Sequence, residues 1–84
     1  YPNPFNPVTT IRYQLPTVSN IKMTVYDILG REVNVLLHEN KNAGIHTFQW
    51  NGTNRFGQPI SSGAYFVIME ALNFNLIQKV ILIK

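Results

Sequence analysis

Trp50-Asn51-Gly52-Thr53-Asn54-Arg55-Phe56-Gly57-Gln58-Pro59-Ile60-Ser61-Ser62-Gly63-Ala64-Tyr65 is the stretch on which the reading of the fold turns. It holds the only Trp and three of the five Gly, and an apolar strand pattern stands on each side of it. Gly52, Gly57 and Gly63 permit positive φ, while Pro59 fixes φ at about −65° and lacks an N–H donor, so the backbone must bend several times here. Asn51 and Asn54 can close Asx-type turns by accepting from amides two residues on. The expectation is a strand end, a long structured turn and a strand start, with the turn setting the register of both strands. A carbonyl-lined calcium loop is the functional alternative. An Asn-x-x-Asn pair lacks the anionic oxygens such a site needs, so no metal site is expected. Asn51-Gly52-Thr53 also matches a glycosylation acceptor, and is read as turn chemistry.

On the upstream side, Ile45 to Trp50 alternates, with His46, Phe48 and Trp50 on one face. Downstream, Tyr65, Val67, Met69 and Ala71 share one face and Phe66, Ile68 and Glu70 the other. Leu72 to Leu76 then reverses the chain into Ile77 to Ile83. With Val80 and Leu82 facing inward, a hairpin looping at Phe74 and Asn75 sets Met69 opposite Val80 and Val67 opposite Leu82. The same register sets Ile68 opposite Ile81 and Phe66 opposite Ile83. Phe66, Ile68, Ile81 and Ile83 would then form an apolar strip outside the sheet, either covered by the lead-in or open to a partner.

Nearer the start, Ile11, Tyr13 and Leu15 alternate with Arg12 and Gln14 as a half-buried strand over Thr9 to Leu15. Pro16 to Asn20 is a turn, and Ile21, Met23 and Val25 repeat the pattern. Asp27 to Glu32 is a second turn, in which Asp27 can accept backbone hydrogen bonds and Gly30 can take positive φ. Val33 to Leu37 is a strand buried on both faces, or one whose phase the sequence does not fix, and His38 to Gly44 is a polar loop. Residues 1–8 form an extended lead-in, because Pro at three of the first seven positions excludes helix. Phe5 is its expected anchor.

Eighty-four residues, 45% of them hydrophobic, make one small domain over 1–84. The chain has no Cys, so packing alone must hold it. Seven scattered Lys and Arg against four acids give a charge of +3 without a basic run, which argues against nucleic acid. No apolar run approaches the about 20 residues that span a bilayer as a helix. A start at Tyr1-Pro2 without Met reads as a piece of a longer polypeptide, and Lys84 follows a strand closely enough to be a natural end. Asp27 and Glu32 are too isolated for acid–base work. His46 lies on the core face, where a backbone carbonyl is its expected partner, and His38 has no ligand spacing to it, so zinc is not expected. No enzyme, cofactor or metal is expected, and the module is expected to be a monomer.

Short alternating segments separated by Gly, Pro and Asn turns predict an all-β, antiparallel immunoglobulin or fibronectin III-like sandwich of about seven strands, with Trp50 between the sheets. Residue chemistry alone stops there, since sandwiches host many functions. A carbohydrate-binding module would need a row of exposed aromatics such as Tyr13, Tyr26 and Phe66, and a structural spacer would need nothing from the last residues.

Tyr1-Pro2-Asn3-Pro4-Phe5-Asn6-Pro7 with Thr9-Thr10-Ile11 resembles the opening of the type A C-terminal sorting domain of the type IX secretion system of Bacteroidetes. Val25 to Val33, Ala43 to His46, Trp50 to Gly57, Ser62 to Phe66 and Gln78 to Lys84 resemble that family's later blocks in the same order. The central block is also similar to the immunoglobulin-like domain of the flagellar hook-capping protein, where Asp often stands at the positions of Asn51 and Asn54. The sorting-domain resemblance implies a non-catalytic address at the C-terminus of an exported cargo. The cargo would reach the cell surface through the periplasm, read by the type IX translocon and processed by a sortase-like peptidase. The recognised part would be Lys79, Val80, Ile81, Leu82, Ile83 and Lys84. The turn built on Trp50, Asn51, Gly52, Asn54, Gly57, Gly63 and Tyr65 would hold the hairpin in shape.

Overall fold

Six strands form, all paired antiparallel, in a computed structural model that describes residues 8–72 and 74–83. They are β1 (Thr9–Leu15), β2 (Ser19–Asp27), β3 (Glu32–Lys41), β4 (Gly44–Trp50), β5 (Gly63–Glu70) and β6 (Asn75–Leu82). β1 pairs with β4 in one sheet, and the other sheet runs β3-β2-β5-β6. The chain therefore changes sheet after β1, after β3 and after β4, which gives the two-layer, immunoglobulin-like arrangement. The expected seventh strand is absent among the described residues. Between β4 and β5 only the single bridge Thr53↔Pro59 forms, because the segment is bent too often to run as a strand. The lead-in 1–7, with Phe5, lies outside the described residues.

Alternation decides what each strand buries. Ile11, Tyr13 and Leu15 of β1 and Trp50 of β4 meet Ile21, Met23 and Val25 of β2, Tyr65, Val67 and Met69 of β5, and Val80 and Leu82 of β6 in one core. Each large apolar side chain buried there contributes about 1.5–3 kcal/mol, the main stabilising term in a chain without disulfides. Thr24 is also fully buried, on the outer face of β2, and its Oγ1 has no hydrogen-bond partner. It lies directly between Val35 and Ile68 of the neighbouring strands, in a row that Ile77 completes.

Two expectations fail for geometric reasons. The segment 38–41 is strand and not loop, and β3 is an edge strand, half-buried at Val33, Leu36 and Leu37, with Val35 exposed. Register shifts at Met23/Thr24 and Val25/Tyr26 insert extra residues in β3, so no single alternation phase describes it. The second failure is the last hairpin. Met69 stands opposite Leu76 and not Val80, Val67 opposite Gln78, Ile68 opposite Ile77, and Phe66 opposite Lys79. The reversal closes between Ala71 and Phe74, whose backbone N and O are 2.9 Å apart, two residues earlier than expected. A turn displaced by two shifts pairing by four, and an even shift leaves faces unchanged. Val80 and Leu82 accordingly still point into the core.

Candidate functional site

Trp50 ends β4 between the sheets at 2% exposure, its ring edge-on to Tyr65 with centroids 6.0 Å apart. Its Nε1 donates to the Thr53 carbonyl at 3.0 Å, which ties the start of the loop to the core. The same carbonyl accepts Asn34 Nδ2 of β3 at 3.0 Å. Asn54 Oδ1 accepts the amides of Phe56 at 2.9 Å and Gln58 at 3.0 Å, the Asx closure that the sequence suggests, and Gly57 follows in the left-handed region at φ 79°. Asn51 behaves differently, since its Oδ1 accepts the Thr53 hydroxyl at 2.7 Å. Arg55 then fastens the loop to β3, its backbone N to the Val33 carbonyl and its guanidinium to Glu32 at 2.6 Å. At the far end the Tyr65 hydroxyl donates to the Ser61 carbonyl at 2.7 Å, and β5 begins at Gly63.

The side-chain oxygens of Asn51 and Asn54 thus accept hydrogen bonds from the loop itself, and the carbonyl of Thr53 accepts from Trp50 of β4 and Asn34 of β3. Each of these hydrogen bonds holds the loop in shape, and a cation bound there would have to share or displace them. Among the described residues no three His, Cys, Asp or Glu side chains gather as a metal site.

The neighbouring β2–β3 turn is built the same way. Asp27 Oδ1 accepts the amides of Leu29 and Arg31, both at 2.9 Å, and Oδ2 pairs with Arg31 Nε at 2.8 Å. The Arg31 amide, then the Arg31 guanidinium and the Leu29 amide, hold the Asp27 carboxyl below the usual carboxylate range. With Glu32 taken by Arg55, the two acids face different cations and form no acid–base pair. A depressed folded-state pKa stabilises the fold above the unfolded value and is lost as pH falls through the folded one. Acid unfolding should therefore steepen from about pH 4 downward. Asp27→Asn should flatten that limb in urea midpoints measured against pH, while lowering the midpoint at neutral pH.

Between this turn and the long loop lies a cleft of about 490 Å³, lined by Leu29, Val33, Ile60, Ser61, Ala64 and Tyr65 among others. His46 is accounted for structurally, its Nε2 2.7 Å from the Asn42 carbonyl and its ring stacked on Tyr13 at 5.3 Å. Burial pushes the Tyr13 phenol up, and Glu39 raises the Lys41 ammonium. Tyr13 faces the core, so it cannot join Tyr26 and Phe66, which stand opposite each other on the outer face of the larger sheet. Tyr13, Tyr26 and Phe66 therefore do not form one exposed row.

β6 is an outer strand of the larger sheet. Ile81 is exposed, Ile83 lies exposed just past the strand end, and Phe66 and Ile68 are half-buried. The predicted strip is on the expected face but paired otherwise, with Ile77 against Ile68 and Ala64 against Ile81. Of the predicted recognition residues, Lys79 and Ile81 face out, Val80 and Leu82 are core, and Lys84 lies outside the described residues. Ile77 was missed because the wrong register placed it beyond the strip.

A family model described as the FlgD Ig-like domain matches residues 7–74. The chain belongs to the FlgD Ig-like family. FlgD from P. aeruginosa, a solved structure, is similar at TM-score 0.73 and 25% identity, over 87% of this chain and 60% of that one. The chain thus spans less than two thirds of that FlgD chain. No match is found among curated proteins. The likeness to the hook-capping protein's Ig-like domain is the part of the resemblance that these comparisons support. The FlgD Ig-like match stops at residue 74, one residue before β6 begins.

Proposed function

We propose that this FlgD Ig-like module is a non-catalytic address on a larger secreted protein, and that its last strand is read by the type IX export machinery. The observation that carries this reading is β6, an outer strand with exposed Ile77 and Ile81, at the chain end where the sorting-domain resemblance puts the recognised residues. The cargo would be joined on the N-terminal side, pass through the periplasm and stay at the cell surface or be secreted, with a sortase-like peptidase removing the module. Paired acids, a satisfied His46 and a self-bonded central loop fit a scaffold that does no chemistry.

A second reading, a structural module within an assembly, is favoured by the FlgD match itself. Fusing the chain to a reporter in a type IX-competent host tests the two. Under the address reading export should be lost both on deleting Lys79 to Lys84 and in a variant that changes only the exposed Ile81 and Ile83 and stays folded. Export that survives the deletion at full level supports the structural module instead.

A further inference from the structure

The two edges of the larger sheet are built differently. β3 is interrupted by register shifts and carries Glu32, His38, Glu39 and Lys41, the devices that keep an edge from pairing further. β6 pairs with β5 through eight consecutive residues without a break, and Lys79 is its one charge. Leu76, Ile77 and Ile81 are exposed along it, so apolar surface flanks a row of backbone donors and acceptors that no strand among the described residues pairs with. Lys79 takes no part in the three ion pairs found among the described residues. It stands on the outer face between Ile77 and Ile81.

We infer that β6 is a strand-addition site, and that its partner is an extended segment of another protein carrying one carboxylate flanked on the same face by aliphatic residues. Main-chain hydrogen bonds would join the segment to β6 as a fifth strand, antiparallel like the rest of the sheet. Its carboxylate would pair with Lys79 while its neighbours cover Ile77 and Ile81. A second copy fits less well. Its β6 brings another Lys and no acid, and its acid-bearing β3 is bulged. The inference rests on the reading of β6 as the recognised strand and adds the mode and the chemistry of the partner.

The test is an NMR titration of the ¹⁵N-labelled chain with the capped peptide Val-Thr-Val-Thr-Glu-Thr-Val-Thr. Amide shifts should concentrate on residues 75–82. A peptide with Lys in place of Glu should bind about tenfold more weakly, since exposed ion pairs are worth a few-fold each and the swap replaces attraction with repulsion. Lys79→Glu should invert that preference. Of two peptides N-methylated at alternate residues in opposite phases, one should lose binding. Shifts centred on the cleft beside Asp27 and Tyr65, no shifts at millimolar peptide, or two N-methylated peptides that bind like the parent would each overturn the inference. Peptide binding at β6 with export intact after the tail deletion would sink the address reading alone. Lost export without peptide binding would sink strand addition alone.

Discussion

Trp50→Ala should lower the unfolding free energy by about 3–5 kcal/mol, the usual cost of truncating a buried Trp or Phe. For a domain whose total lies within about 5–15 kcal/mol, that leaves a substantial unfolded fraction at room temperature. Three losses coincide at this one position. The ring leaves a void among the buried side chains of both sheets, Tyr65 loses its edge-on partner, and the Thr53 carbonyl loses the indole N–H. The last loss reaches furthest, because Thr53 opens the loop that Arg55 fastens to β3. Trp50→Phe keeps an aromatic ring and gives up the Nε1 bond and part of the volume, so it should cost clearly less. Urea unfolding followed by far-ultraviolet circular dichroism measures both. Equal midpoints for Trp50→Ala and the parent chain would mean that the ring does not join the two sheets.

Side-chain chemistry that acts within a few residues was readable before any coordinates. Asp27 and Asn54 cap their turns as their residue types suggest, and Trp50 lies in the core. Strand faces were readable too, since a period of two survives any even slip of register. What alternation cannot disclose is which strand lies beside which, so the β1–β4 sheet was not legible. The hairpin turn was misplaced because setting the inward-facing Val80 and Leu82 opposite Met69 and Val67 centred the loop on Phe74 and Asn75, and matching faces do not distinguish that register from the one whose turn lies two residues earlier. β3 escaped for a different reason. Its bulges are imposed by the pairing with β2, and a nearly continuous apolar run carries no mark of where an extra residue will be inserted. In the predicted apolar strip the face was right and the partners were wrong, which is why Ile77 came to light only from the pairing itself.

That division of β6 into inward and outward residues gives the second large effect. Leu82→Ala should destabilise the fold by about 2–5 kcal/mol, because a fully buried Leu leaves a cavity that its neighbours fill only in part. Ile81→Thr, one residue away, should change stability by no more than about 0.5 kcal/mol, since Ile81 is exposed and Thr suits a strand. The contrast bears on how the tail is read. Deleting Lys79 to Lys84 removes Val80 and Leu82 from the core together with the exposed residues, so lost export after that deletion also follows from simple unfolding. Ile81→Thr combined with Ile83→Thr removes only exposed aliphatic surface and should keep the parent urea midpoint. If the tail is recognised through that surface, the double variant should be folded and poorly exported. A folded double variant exported like the parent would shift recognition away from these side chains, and a double variant that unfolds like Leu82→Ala would mean that the outer face of β6 is itself covered.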